Sequence, residues 1–159
     1  MIGEEQFTAK VLSMRDMLYR LSVSYLHSDA DAQDAVQQAI ESAWRHRGRV
    51  EPQAFRPWLT RIVINACKSQ LRKKRRVFLS DRLECYAGAV PPPDVTLADA
   101  LSRLPEKLRT PLLLHYMEGF SVTETAGALH VPETTVRSRL YRARKALREE
   151  LGGEEAGRR

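Results

Sequence analysis

Apolar residues recur every three or four positions through most of the chain, the spacing that gathers them on one face of an α-helix. Phe7, Val11, Met14, Leu18, Leu21 and Tyr25 mark a first helix from about Glu4 to Leu26. His27-Ser28-Asp29 ends it, and Ser28 or Asp29 suits the start of the next, because a short side-chain oxygen satisfies the free N–H groups there. That second helix, Ala30 to about Arg47, turns Ala32, Ala35, Val36, Ala39, Ile40 and Ala43 inward. Gly48 to Gln53 reads as a loop, with Gly48 and Pro52 as breakers. A third helix, Ala54 to Arg76, carries Trp58, Ile62, Ala66 and Leu71 as its stripe. Pro57 belongs in its first turn, where a missing N–H is tolerated.

The pattern stops at Val77. Between there and Thr96 lie Gly88 and Pro91-Pro92-Pro93, and no stripe survives, as in a linker. Leu97, Leu101 and Leu104 then make a short helix. Pro105 opens another, with Leu108, Leu112, Leu113 and Tyr116 inward, closing at Gly119. Pro111 falls inside it and predicts a kink or a late start, since its ring crowds the preceding turn. Val122, Ala126 and Leu129 mark the next helix, His130-Val131-Pro132 a tight turn, and Val136, Leu140, Ala143 and Leu147 a last helix beginning near Pro132. No stretch alternates as a strand does. The expected fold is all-α: two small helical domains, 1–76 and 97–152, joined by a flexible linker, 77–96, with a tail, 153–159. The second domain ends in a helix-turn-helix.

The faces opposite these stripes carry the candidate chemistry. On the last helix, Thr134, Arg137, Ser138, Tyr141, Arg142, Arg144 and Arg148 spread away from the apolar side. Such a face offers donors to phosphates and base edges while the stripe docks on its own domain; a solvated bundle helix would have the same composition. The second helix shows Asp31, Asp34, Gln37, Gln38 and Glu41. This acidic, amide-rich face is badly placed for DNA. It is either a solvated surface or a docking surface for a basic protein. The third helix ends in Lys68, Arg72, Lys73, Lys74, Arg75 and Arg76, following Phe55, Trp58 and Asn65. A charge run of this kind is usually a solvated tail, but cation, aromatic and amide together suit unpaired bases and their backbone.

Composition narrows the classes. The 159 residues carry a formal net charge of +6 and 43% hydrophobic residues, with a pI of about 9.6. That balance allows a folded protein with a polyanionic partner, nucleic acid first. No apolar run approaches a membrane span. MIGEEQFTAK lacks a signal-peptide core, so a cytoplasmic protein is expected. Cys67 and Cys85 form no CxxC pair and the four histidines are scattered, so reduced thiols, no metal and no cofactor are expected. No nucleophile–base or paired-carboxylate set has a convincing context, so catalysis is not expected.

Four pieces of sequence resemble the extracytoplasmic-function (ECF) group of sigma factors, the subunits that give bacterial RNA polymerase its promoter specificity. DADAQDAVQQAIESAW resembles the polymerase-binding helix of region 2. FRPWLTRIVINACKSQLRKKRR resembles the melting and upstream-strand segment after it. LSRLPEKLRTPLLLHYMEGFSVTETAGAL resembles the start of region 4, and HVPETTVRSRLYRARKAL its recognition helix. The resemblance implies that Asp31, Asp34, Gln37 and Trp44 dock on the polymerase β′ clamp. It implies that Trp58, Asn65, Lys68, Arg72 and Lys73 hold the −10 element, with Gly48 to Gln53 cradling a flipped base. It implies that Thr134, Arg137, Ser138, Tyr141 and Arg142 contact the −35 element. Gln33 and Gln38 depart from the family's usual glutamates, and His130 and Thr134 from commonly seen glycines; histidine tolerates positive φ better than most residues. The partners implied are core RNA polymerase (β′ clamp and β flap), promoter DNA and an anti-sigma factor, without membrane insertion. A stand-alone dimeric repressor would use the same helix-turn-helix but leaves the acidic face idle. A helical adaptor leaves the arginine face idle.

Overall fold

The computed structural model describes residues 2–81 and 96–156. Within them run seven α-helices: α1 (Glu4–Leu26), α2 (Asp29–Arg45), α3 (Phe55–Asp81), α4 (Leu97–Arg103), α5 (Glu106–Leu112), α6 (Val122–Leu129) and α7 (Glu133–Ala156). Among the described residues there is no strand. Local chemistry sets three of the helix starts. Ser28 Oγ accepts the Asp31 N–H at 3.2 Å. Thr96 with Asp99, and Ser121 with Glu124, form reciprocal capping boxes at α4 and α6. Two histidines close helices: His27 (φ 52°) after α1 and His130 (φ 58°) after α6, both left-handed.

The first lobe packs α1, α2 and α3 around Phe7, Leu18, Leu21, Val36, Phe55, Leu59 and Val63. The expected inner residues of α1 and α2 are buried, Ile40 partly. On α3 the core side differs from the expected stripe. Phe55, Leu59, Val63 and Cys67 are buried, while Trp58, Ile62 and Ala66 are half-buried and Leu71 is exposed. This helix is covered on two sides, by α1 and α2 and by α6, so its apolar arc is wide and the expected row lies on its edge. Pro57 sits in the first turn, as expected. Two short 3₁₀ turns, Arg47–Arg49 and Pro52–Ala54, fill the 48–53 loop, and Val50 pins it to the core.

The second lobe seats Val136, Leu140 and Ala143 of α7 on Leu104, Leu112 and Ala126. Pro111 lies within α5 rather than at its start. A wider π turn follows at Leu113–Met117, where the Glu118 N–H reaches the Leu113 carbonyl at 3.1 Å. The extra residue in that turn shifts the register of the side chains after it. Tyr116, expected inward, is therefore exposed, and Leu114 is fully buried instead. The last helix breaks at Gly152 (φ −145°, ψ 37°) but resumes as far as Ala156, into the expected tail; 157–159 lie outside the described residues. So do 82–95, most of the expected linker, whose first residues continue α3 to Asp81.

The two lobes touch. α6 lies against α3, and a Cβ at Gly127 would stand 3.4 Å from Pro57 Cβ. Leu114, Phe120 and Ala128 of the second lobe belong to the first lobe's apolar cluster. Around this seam the Arg20 guanidinium grips the Glu118 carboxylate with two bonds of 2.9 and 2.7 Å. Arg56 lies 4.1 Å from the Phe120 ring centre and donates to the Glu118 carbonyl, with Glu124 3.7 Å away.

Candidate nucleic-acid and protein interfaces

The α7 face is built by its seat. Val136 is fully buried, and the Thr123 hydroxyl bonds Glu133, tying α6 to the start of α7. With the stripe held, Thr134, Arg137, Ser138, Tyr141 and Arg142 all point to solvent, and Tyr141 is 62% exposed. Among the described residues no ion pair engages Arg137 or Arg142. Arg144 differs: it reaches Tyr116, hydrogen-bonding its hydroxyl. The expected reading face is thus brought together on one exposed surface, with cations free to meet phosphate or guanine.

On α2 the acidic face is exposed but partly engaged. Asp31 is paired with Lys74 of α3, and that hydrogen-bonded ammonium holds its carboxyl below the usual 3.8. Asp34 accepts from Gln70 at 3.0 Å and from Gln38 at 3.2 Å. Gln37 bonds Glu41 at 3.3 Å. Part of the α3 charge run therefore serves the first lobe itself, a pairing across helices that sequence spacing does not reveal. Trp44 packs edge-on to Phe7, with centroids 5.2 Å apart, under the Arg47 guanidinium at 3.6 Å. Beside it opens an apolar groove of about 480 Å³ lined by Phe7, Val11, Leu12, Ile40 and Trp44. Leu12, 61% exposed, is outside the α1 stripe and was not among the expected site residues.

On α3, Trp58, Asn65 and Arg72 follow at intervals of seven and fall within about 40° of one another. Asn65, Arg72 and Lys73 are exposed and Trp58 is half-buried. Phe55, a companion aromatic in the sequence, is 1% exposed between Phe7 and Trp58. It supports the face from beneath and offers nothing to a base. Lys68 is half-buried and turned toward the second lobe, its ammonium 3.5 Å from Glu106. Glu106 also accepts the Tyr25 hydroxyl at 2.9 Å, and that hydroxyl accepts from Thr110 at 2.7 Å. Burial and the neighbouring Glu106 carboxylate raise the Tyr25 phenol above its ordinary value, so it remains a neutral donor. A second apolar groove, about 260 Å³, opens between α4, α5 and α7, lined by Leu97, Leu101, Leu112, Tyr116, Met117 and Leu147.

Known proteins share this arrangement. The family model for Sigma-70 region 2 matches residues 11–77, and that for Sigma-70, region 4 matches residues 94–147. The RNA polymerase sigma-H factor of Pseudomonas aeruginosa is 32% identical over 161 residues, covering 89% of this chain and 83% of its own. The ECF RNA polymerase sigma factor SigM of Mycobacterium tuberculosis is 37% identical over 140 residues, covering 85% of this chain and 71% of its own. The sigma factor RpoE of Bartonella quintana, solved with the anti-sigma factor NepR, superimposes with a TM-score of 0.74 at 28% identity, covering 90% of this chain and 94% of that one. With one region match on each lobe, in the order that the helices demand, and with such relatives along most of its length, the chain belongs to the sigma-70 family, among the ECF RNA polymerase sigma factors.

Proposed function

We propose that this sigma factor divides promoter recognition between its lobes. The α7 face, with Thr134, Arg137, Ser138, Tyr141 and Arg142, reads the −35 element in the duplex major groove. The α3 face, with Trp58, Asn65, Lys68, Arg72 and Lys73, holds the separated −10 strand beside the 48–53 loop. The α2 face, with Asp31, Asp34, Gln37 and Trp44, docks on the β′ clamp. The α4–α5 groove gives the second lobe an apolar seat for the β flap. The observation that carries this reading is the opposition of two faces in one chain: exposed arginines on a seated helix-turn-helix, and an acid–amide face on the other lobe. DNA repels the second face and attracts the first.

The chain contributes binding; bond formation belongs to the polymerase core. Opening a promoter costs on the order of 1–2 kcal/mol per base-pair step, offset by base stacking on Trp58 and hydrogen bonds to extruded bases. The chain acts where the polymerase is, in the cytoplasm; no described helix is long and apolar enough to cross a membrane. An anti-sigma factor, as seen on the Bartonella quintana relative, is a natural regulator. A stand-alone repressor leaves the region 2 match without a task. The test is transcription from a randomised promoter library by core polymerase with and without this protein. Enriched promoters with paired upstream and downstream motifs support the reading, and no protein-dependent transcripts overturns it.

A further inference from the structure

We propose that the turn after α2 is a further strand-binding site, in which Arg47 and Arg49 hold phosphates of the separated strand just downstream of the −10 element. The inference rests on the proposed −10 role of α3. That face has a direction. Arg72 and Lys73 stand toward the end of α3 from which the chain runs on to the second lobe, the proposed reader of the −35 element. The C-terminal end of the face is therefore upstream, and Trp58, in the first turn of α3, is its downstream end. The one cation of α3 before Trp58 is Arg56, which is turned to the Phe120 ring and the Glu118 carbonyl. A strand leaving Trp58 toward the start of transcription next meets the loop before α3. Ring-to-ring steps of 5.7 Å from Trp58 to Phe55, 5.7 Å from Phe55 to Phe7 and 5.2 Å from Phe7 to Trp44 lead to Arg47, whose guanidinium lies 3.6 Å from the Trp44 ring centre. Arg47 is thus within about 20 Å of Trp58, at most about six nucleotides at the 3.4 Å spacing of a stacked strand.

The turn is arranged to meet an anion. Arg47 donates from Nη1 to the Trp44 carbonyl at 2.7 Å, and its stacking on the indole fixes the plane of its fork. A guanidinium held in this way loses less freedom when it binds. Among the described residues the one acid paired with it is Glu4, 3.9 Å away with a side chain 76% exposed. Such a screened pair contributes little, so a phosphate displaces it at small cost. Arg49 is exposed, and among the described residues no ion pair engages it. Between the two arginines, a Cβ on Gly48 would meet nothing within 4 Å, so a strand backbone can approach the turn closely. The Arg49 N–H bonds the His46 carbonyl at 3.0 Å and Val50 is buried in the core, which together hold the turn in place. Glu51, the one carboxylate of the loop, lies past that anchor at the start of the second 3₁₀ turn. Arg45 serves elsewhere, lining the α1–α2 groove. Guanidinium–phosphate contacts position a strand without reading its sequence.

The experiment uses the full chain assembled on core polymerase, as the parent and as Arg49→Gln and Arg49→Lys, with circular dichroism of each free chain as the folding control. Fluorescence anisotropy compares single strands carrying a −10 motif selected in the transcription assay: the motif alone, and the motif with about six thymidines, enough to reach the turn, on its 3′ or its 5′ side. The motif is written toward the start of transcription, so the 3′ tail is the one that meets the turn. Arg49→Gln should weaken binding of the 3′-tailed strand about three- to tenfold and lower its log–log salt slope by about 0.7, the loss of one single-strand phosphate contact. The motif alone and the 5′-tailed strand should bind as to the parent. Arg49→Lys should keep the 3′-tailed affinity close to the parent's, because the contact is to charge and not to a base edge. Parental binding of the 3′-tailed strand by Arg49→Gln overturns the site while leaving −10 recognition by α3 in place. Equal losses on both tails overturn it as well, since they mark a general effect of charge. No preference for the motif over a scrambled strand, in parent and variants alike, is the separate failure of the −10 reading, and the site falls with it.

Discussion

Arg137 stands one residue, about 100°, around α7 from the fully buried Val136. It is exposed while its neighbour seats the helix, so its loss leaves the seat intact. Arg137→Ala should weaken −35 duplex binding by about 1–3 kcal/mol and relax preference at one base, with an unchanged circular dichroism spectrum. Binding to a −35 duplex and to single-base variants of it checks this, and retained preference at every position would place the reading face elsewhere. His130 poses the opposite case, a backbone cost without a contact. It ends α6 at φ 58°, where a residue with a Cβ gives up about 1–2 kcal/mol. Glycine removes that strain but adds freedom to the unfolded chain. His130→Gly should therefore raise Tm by about 1–4 °C, for a net gain of about 0.5–1 kcal/mol in a chain of this size. A lowered Tm in a thermal melt would mean that the imidazole contributes more than its backbone costs.

At the scale of elements, α2 and α3 act as one unit. Lys74 and Gln70 of α3 bind Asp31 and Asp34 of α2, so the acidic face is set by its neighbour as well as by its own sequence. Asp34→Lys replaces an acceptor of two amides with a cation at an exposed position. It should cost little folding stability, since exposed changes rarely exceed about 0.5 kcal/mol, with some addition for the lost amide partners. Core-polymerase affinity should fall at least tenfold, because like charges across an interface cost several kcal/mol when desolvated. Duplex binding by α7 should not change. A titration against labelled core polymerase, paired with duplex binding, reads both; parental polymerase affinity would move the docking surface off α2.

Across the whole molecule, the lobes differ in independence. The second lobe has its own cluster of Leu104, Leu112, Ala126, Val136, Leu140 and Ala143, yet lends Leu114, Phe120 and Ala128 to the first. Fragment 97–152 should remain helical but melt below the full chain, since it exposes Phe120 and is small enough to bury proportionally little surface. Its duplex binding should still fall with salt at a log–log slope of roughly −4 to −5, if its arginines meet about five phosphates. Circular dichroism and binding between 50 and 200 mM salt, about the range over which phosphate contacts are read, check both. A random-coil spectrum, or a flat salt response, would count against an autonomous DNA-reading lobe.

Periodicity was enough to locate the helices and their order, because each helix has one side that must leave water and the spacing of its apolar residues records it. Val136, Leu140 and Ala143 were legible in this way, and so, by subtraction, was the exposed face of Arg137, Ser138 and Tyr141. The capping residue Ser28 was equally local. The tertiary structure decided what depends on neighbours distant in sequence. It chose Leu59 and Val63 over Trp58 and Ile62 as the inner row of α3, because α3 is covered from two sides. It turned Tyr116 outward through the π turn after Pro111. It also joined Tyr25 to Thr110 and Glu106, and Arg20 to Glu118. Those partners are brought together only when two separately patterned lobes meet, and a pattern with a period of three or four residues carries no information over such distances.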